Sequence, residues 1–404
     1  MRILYVYTFA SQIAGSVQKK VCAQIEALND NGVICKGLFL STDIIEHPKD
    51  YPNVDFVLVP KIKAKYFRST KQRSAYFLAL LNQNVIEIND FDFIYFRYPG
   101  AHPLLKKWIH NIKPKVFFEH VTAETKEIKS YQIENPIRFN VSSVLGSIEF
   151  YYLPLLREIL YGSSIRMAAE FGICNSEDIA QYENHAAGSN YKTLVLGDAV
   201  QTKIFHVKEK LNLEQEFRII FLKGAVTNAD FNGLDRVFKG IKIYKGLFNI
   251  KFYLFGKNLV AEKKIIQELG IEDQVICSDF IQKAQIDTVV SNIHLGIGAL
   301  AVHRKGLKST STIKTREYFA RGLPFVYGHN DPDFSDSKEA MKYCKQITGD
   351  DDAIDLEDII NWYQSLEEPF KIPDHMHDFA LRFLDYRVKM KKLLLYVNNL
   401  KHVK

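Results

Sequence analysis

Ser309-Thr310-Ser311-Thr312-Ile313-Lys314-Thr315-Arg316-Glu317-Tyr318-Phe319-Ala320-Arg321-Gly322-Leu323-Pro324-Phe325-Val326 runs from hydroxyl side chains into a short basic helix with one glutamate, a Gly-Leu-Pro stop and an apolar strand. The pattern is that of an anion site. Ser311 or Thr312 is placed to cap the helix, leaving its first N–H groups facing outward, where backbone and the Lys314 ammonium hold a phosphate. Gly322 ends the helix and Pro324 stops it from resuming. The same residues also fit an ordinary surface helix, with Glu317 paired to Arg321 four positions on or to Lys314 three positions back.

Upstream, this stretch closes a βα series. Strands are expected at 217–222, 251–255, 274–277 and 293–300, with helices over 234–244, 262–269 and 282–291 between them. The N-terminal half follows the same plan. Apolar runs at 3–7, 33–40, 54–60, 93–96, 116–118, 172–174 and 193–196 alternate with helical patterns at 17–28, 74–88, around Trp108, at 148–171 and at 177–185. Such alternation predicts an α/β fold of parallel sheets flanked by helices, two Rossmann-like doubly wound domains in tandem. Residues 203–216 turn charged and lose any sustained pattern, so the linker is placed there, between an N-terminal domain over 1–205 and a C-terminal one over 206–375. In the remaining 376–404, Phe379, Phe383, Tyr386, Met390, Leu393, Val397 and Leu400 alternate spacings of four and three. They predict a long amphipathic helix suited to packing across both domains, or to lying on a membrane.

Composition narrows the function. A chain of 404 residues, 47% hydrophobic and 25% charged, is globular. Its net charge of +6 suits an anionic ligand or membrane surface and falls short of a nucleic-acid binder. The five cysteines are scattered and form no Cys-x-x-Cys pair, which points to a reduced, cytoplasmic setting without a zinc site or disulfide framework. No apolar run reaches the roughly 18 residues of a spanning helix, so a soluble or peripheral protein is expected. Two segments suit a membrane face. One is the basic run Lys61, Lys63, Lys65, Arg68, Lys71 and Arg73 ahead of the aromatic helix at Tyr76 and Phe77. The other is the greasy stretch 139–161 around Pro154, which reads as core or as acceptor-side surface.

The order of elements, with Ala14-Gly15-Ser16 after the first strand, Asn232-Gly233-Leu234-Asp235, Leu254-Phe255-Gly256 and Glu317-Tyr318-Phe319-Ala320-Arg321-Gly322-Leu323-Pro324, resembles the retaining, metal-independent glycosyltransferases of the GT-B fold, group one (family four). The last segment is similar to that family's Glu-Ala-Met-Ala-x-Gly-x-Pro signature. The resemblance implies a nucleotide-diphosphate sugar as donor substrate, no cofactor, no metal, and a carbohydrate or lipid-linked acceptor, with transfer in an interdomain cleft. It implies that Glu317 grips the donor ribose; donor contacts are expected at Gly15, Gly224, Gly256, Ser311, Thr312 and Lys314, with Arg304, Lys305 or Lys308 in the preceding loop adding positive charge. A histidine after an N-domain strand contacts the donor sugar in similar enzymes, which implies His120 here; a hydrogen-bonded histidine at a strand end is the plainer alternative. Arg97, at the carboxyl end of another strand, and His102 and Glu124 in adjacent loops are acceptor-side candidates.

Three positions depart from the family pattern. Ser309 stands where a first glutamate is common, Ala225 where an arginine follows the glycine of the first loop, and Asn232 where a lysine precedes a glycine. Either Lys223, Arg304 and Lys314 substitute, or the donor is handled differently. An inactive GT-B partner subunit and a nucleotide-sugar epimerase are therefore carried beside the leading expectation, a glycosyltransferase of surface-polysaccharide assembly at the inner face of the membrane.

Overall fold

A computed structural model describes residues 1–10, 16–45, 51–64, 67–82, 88–134, 141–188, 191–208, 213–224, 230–278, 283–366 and 371–402. The chain divides into two compact units. One comprises Met1–Leu196 with Met390–Lys404, the other Gly197–Lys389. The division thus falls nine residues before the expected 205/206 boundary, and the last helix belongs mainly to the first unit.

The first unit holds a seven-stranded parallel sheet of β1 (Arg2–Ala10), β2 (Ile34–Ser41), β3 (Val54–Leu58), β4 (Phe93–Arg97), β5 (Lys115–His120), β6 (Phe171–Cys174) and β7 (Thr193–Val195), in the order β3-β2-β1-β4-β5-β6-β7. Its central strands are apolar on both sides, as a sheet covered on both faces requires. One face of β1, β4 and β5 (Leu4, Val6, Ile94, Phe96, Val116, Phe118) packs on α2 (Arg68–Leu81) and α3 (Pro103–Asn111). The opposite face carries Tyr5 stacked on Tyr95 at 4.2 Å, and Tyr5 bonds Gln24 of α1 (Ser16–Asp30). After β5 come α4 (Glu124–Glu134) and a helical run, α5 (Val141–Ser147), α6 (Leu153–Arg157) and α7 (Ser163–Met167), joined through the π turns Ile148–Tyr152 and Glu158–Gly162. This run ends at Met167, earlier than the expected 171, because Phe171 opens the fully buried β6. α8 (Glu177–Ala187) follows, capped by the Ser176 side chain.

The second unit repeats the plan with β8 (Glu216–Leu222), β9 (Asn249–Phe255), β10 (Val275–Ser278), β11 (Leu295–Ile297), β12 (Phe325–Tyr327) and β13 (Cys344–Gln346), six parallel strands in the order β10-β9-β8-β11-β12-β13. Along β8 the side chains alternate. Phe217, Ile219 and Phe221 enter a core with α9 (Leu234–Ile243), α10 (Val260–Leu269) and, beyond α11 (Lys283–Val290), α13 (Leu356–Gln364). Ile220 faces the other way, toward α12 (Ile313–Arg321) and α14 (Ile372–Phe379). In each sheet the strand order reverses beside the unit's first strand, the position where open α/β sheets bind ligands at their strands' carboxyl ends.

The expected single C-terminal helix is broken. α14 runs through a π turn, Ala380–Leu384, and stops at Asp385, whose extended backbone pairs with Val200. The Asp385 carboxylate accepts the N–H groups of Thr202 and Arg387, capping α15 (Tyr386–His402).

Candidate functional site

In the second unit the Ser309–Val326 segment folds as its residues imply, and the contacts explain why. Gly322 takes the left-handed conformation (φ 70°, ψ 32°) at the end of α12, where its N–H bonds Phe319 O and the Leu323 N–H bonds Tyr318 O. A Cβ there would lie 2.4 Å from Pro373 Cα, so α14 approaches this turn only because the residue is glycine. At the other end Thr312 is the N-cap, and its side chain makes no capping hydrogen bond. Thr312 Oγ1 instead lies 3.1 Å from Thr315 Oγ1, and Ser311 Oγ accepts the Asp198 N–H at 2.6 Å. Thr312 therefore leaves the N–H groups of the first turn uncapped, as an anion site requires.

Lys314 stands in that turn with its ammonium 3.3 Å from the centroid of the Phe221 ring. Among the described residues it forms no ion pair and no hydrogen bond. Burial pulls its pKa down to about 7, against the opposing pull of Glu317. Glu317 bonds Arg321 Nη1 at 3.3 Å and keeps about a third of its side-chain surface exposed, 30%. Two other candidate cations are already matched. Arg304 is held by Asp230, Asp235 and Asp351 at 2.7 to 2.9 Å, and Lys223 by Glu262 at 2.6 Å. Gly256 lets the ends of β8 and β9 meet, since a Cβ would fall 2.5 Å from Lys223 Cβ, while Gly224 is exposed with open space beside it. Ser309 is buried and bridges Asn330. Gly15 and Ala225 lie outside the described residues.

Sequence reading gave no part to Arg316, yet it organises the segment. Fully buried, it forms ion pairs with Asp331 and Asp333, donates to Asp198 O, and Asp333 in turn binds Lys389. It fixes the Asp198 and Thr312 backbones beside the helix start. Its signal was an arginine in the apolar phase of α12, between the buried Thr315 and Phe319.

In the first unit His120 and Glu124 come together, and Arg97 and His102 lie elsewhere. His120, at the carboxyl end of β5, is 0% exposed; its Nδ1 sits 3.1 Å from Glu183 and 3.5 Å from Glu124, and the Tyr98 ring lies against its own, tilted by 37°, at 4.7 Å. Arg166 binds Glu183, Glu124 and Glu158 at 2.5 to 3.1 Å. Burial lowers the His120 pKa, but Glu183 and Glu124 outweigh it and lift the imidazolium to about 9. Burial and the charge of Glu183 raise Glu124 to about 8, whereas His120 and Arg166 overcome the burial of Glu183 and depress it to about 2. His120, Glu124 and Glu183 offer one nitrogen and two carboxylate oxygens within 4.8 Å, a set chemically able to ligate a divalent cation, although the Arg166 guanidinium already balances both carboxylates. Glu183, Arg166 and Glu158 were not singled out in the sequence. Their signal was charge on a buried helix face, as with Glu183 after Ile179 and Ala180.

His102 caps α3, its Nδ1 accepting the Leu104 N–H, with Nε2 3.1 Å from Ser74 Oγ and the ring stacked on Phe77. Burial lowers its pKa to about 4, so it is neutral. Arg97, half-buried at the end of β4, approaches Glu119, which is bound by Lys20 at 3.1 Å and held at about 2 by that charge against the cost of its burial.

No protein-family model and no curated protein matches the sequence. Solved structures match along nearly its whole length. The sucrose-phosphate synthase of Thermosynechococcus elongatus is similar with a TM-score of 0.68 at 12% identity, covering 100% of both chains. HepE of Anabaena, solved with UDP and glucose, gives 0.62 at 12% identity over 99% of this chain and 100% of its own. WaaG, a glycosyltransferase involved in lipopolysaccharide biosynthesis, gives 0.61 at 9% identity over 97% and 98%. With its two parallel, helix-flanked Rossmann-like units, one of seven and one of six strands, the chain has the GT-B fold.

Proposed function

We propose that the chain is a glycosyltransferase moving a sugar, with retention, from a nucleoside-diphosphate donor to a carbohydrate or lipid-linked acceptor at the cytoplasmic face of a membrane, in surface-polysaccharide assembly. The observation that carries this reading is the half-buried Lys314 ammonium, unmatched among the described residues, in the first turn of α12, which the Thr312 side chain leaves uncapped. A diphosphate fits such a pairing of positive charge and outward N–H groups. As the bond to the departing diphosphate breaks, negative charge grows on its oxygens, and a cation already fixed there lowers the barrier without reorganising. Glu317, one helical turn on and still partly exposed, is the group for the ribose hydroxyls. His120 is held too deeply to be the first contact of an acceptor, which supports a positioning part for it at the end of β5.

A catalytically inactive GT-B partner subunit is the second reading. It is favoured by Arg304 and Lys223, both neutralised by carboxylates, and by Ser309 where an acid is common. Thermal unfolding with uridine, guanosine and adenosine diphosphate sugars separates the two. The accepted donor at a hundredfold excess over its Kd should add about 2.7 kcal/mol of stability, and Glu317→Ala should weaken its binding by about 1.5–3 kcal/mol. No shift with any donor would leave the inactive subunit as the better account.

A further inference from the structure

The helical run from Val144 to Met167 turns an apolar side to solvent. Tyr152, Leu156, Ile159, Leu160 and Met167 are 46–69% exposed, the first four one helical turn or less apart and Met167 two turns on, and Phe150 is 58% exposed. A face of this kind about 20 Å long is unusual on a protein surface, where apolar residues scatter singly. The run has two carboxylates, and both turn away from that side. Glu149 accepts the Thr70 N–H at 3.0 Å, and Glu158 is buried against Arg166 and the Ala101 N–H. Flanking elements supply the opposite charge. α2 packs along the Ile148–Tyr152 turn with Arg68 and Lys71 exposed on either side of Thr70, and α4 packs along the same turn and α6 with Lys129 exposed.

We infer that this side of the first unit docks onto an anionic lipid surface, its apolar residues entering the headgroup boundary and Arg68, Lys71 and Lys129 meeting lipid phosphates. Charge complementarity selects the occupant. Apolar insertion with cations at the rim and the run's own two acids turned inward is the pattern of an interfacial helix. No helix among the described residues is long and apolar enough to cross a membrane, so attachment is by surface contact. The inference deepens the proposed function, since it names the surface that brings a lipid-linked acceptor to the enzyme, and it rests on that reading only for its purpose.

Sedimentation with vesicles of phosphatidylethanolamine, with and without phosphatidylglycerol, tests it on the full chain. Binding should require the anionic lipid and weaken as salt is raised. Exchanging Arg68, Lys71 and Lys129 for serine should cost about fivefold per cation removed. Leu156→Ser with Ile159→Ser and Leu160→Ser should abolish sedimentation while leaving the melting temperature and donor-induced shift intact, all three being exposed. Failure of the wild-type chain to bind anionic vesicles, or equal binding by the triple serine variant, would overturn the inference whatever the donor assay shows. So would a lipid-free dimer that the triple variant dissociates, because the side would then be an interface between two copies. A donor shift absent from a chain that still binds vesicles would instead remove the glycosyltransferase reading and leave the surface.

Discussion

Lys314 carries a proton only part of the time at neutral pH, because burial holds its pKa near 7. A diphosphate stabilises the charged form, so binding should take up a proton and affinity should fall as pH rises above about 7, by up to about tenfold per pH unit. Calorimetry in two buffers of different ionisation enthalpy reads that proton directly. Lys314→Met should lose both affinity and the pH slope; a slope kept by the variant would assign it to another group. His120 works in the opposite sense. Its folded pKa of about 9 lies above the ordinary 6.5, so its contribution is complete below about pH 6.5 and is lost as pH climbs through 9. Glu124, raised to about 8, acts in the same sense over a lower window, its contribution complete below about pH 4.5 and lost as pH climbs through 8, while Glu183, depressed to about 2, gives its share above pH 4.5 and loses it only in strong acid. His120→Gln should destabilise the first unit by about 1.5–3 kcal/mol, the loss of a charge-assisted contact with Glu183, which Arg166 still pairs. Urea unfolding at pH 6.5 and 9 should then show a smaller difference in the variant than in the parent. At this scale the sequence revealed what local spacing encodes, such as Glu317 opposite Arg321. It concealed Arg316 with Asp331 and Asp333, and His120 with Glu183, because those partners meet only once the chain has folded.

The elements were more legible than the site. Fully buried strands read as apolar runs of the right length, and βα turns carry glycines, so the alternation that gives parallel sheets was visible from Ile3 to Val326. Misplaced boundaries have local causes. α2 begins at Arg68 because its polar first turn carries no apolar period, and the C-terminal helix breaks at Asp385 because a carboxylate there caps α15 more favourably than it continues α14. Gly322 is the position where element and packing coincide. An alanine there meets the left-handed backbone penalty of about 1 kcal/mol, and in addition a Cβ 2.4 Å from Pro373. Gly322→Ala should therefore cost more than the backbone term alone, about 2–4 kcal/mol, as α14 is pushed off α12. A loss below about 1 kcal/mol in urea unfolding would mean that α14 yields freely.

Across the whole molecule, the contiguous second unit lies between two stretches of chain that together make the first. Only after Met390 does the chain come back, placing Tyr396 against Phe171 with ring centroids 5.0 Å apart. Met390, Leu393 and Val397 are buried to within 2% of completely. A chain ended after Lys389 should keep the second unit's unfolding transition and lose several kcal/mol from the first, at about 1.5–3 kcal/mol per buried aliphatic side chain lost; two unchanged transitions would contradict this. The arrangement sets an order in time. On the ribosome, at about 5–20 residues per second, the second unit has all its residues once Lys389 is made, while the first still needs Met390 and the helix residues after it. The unit whose synthesis starts first is the second to have all its residues.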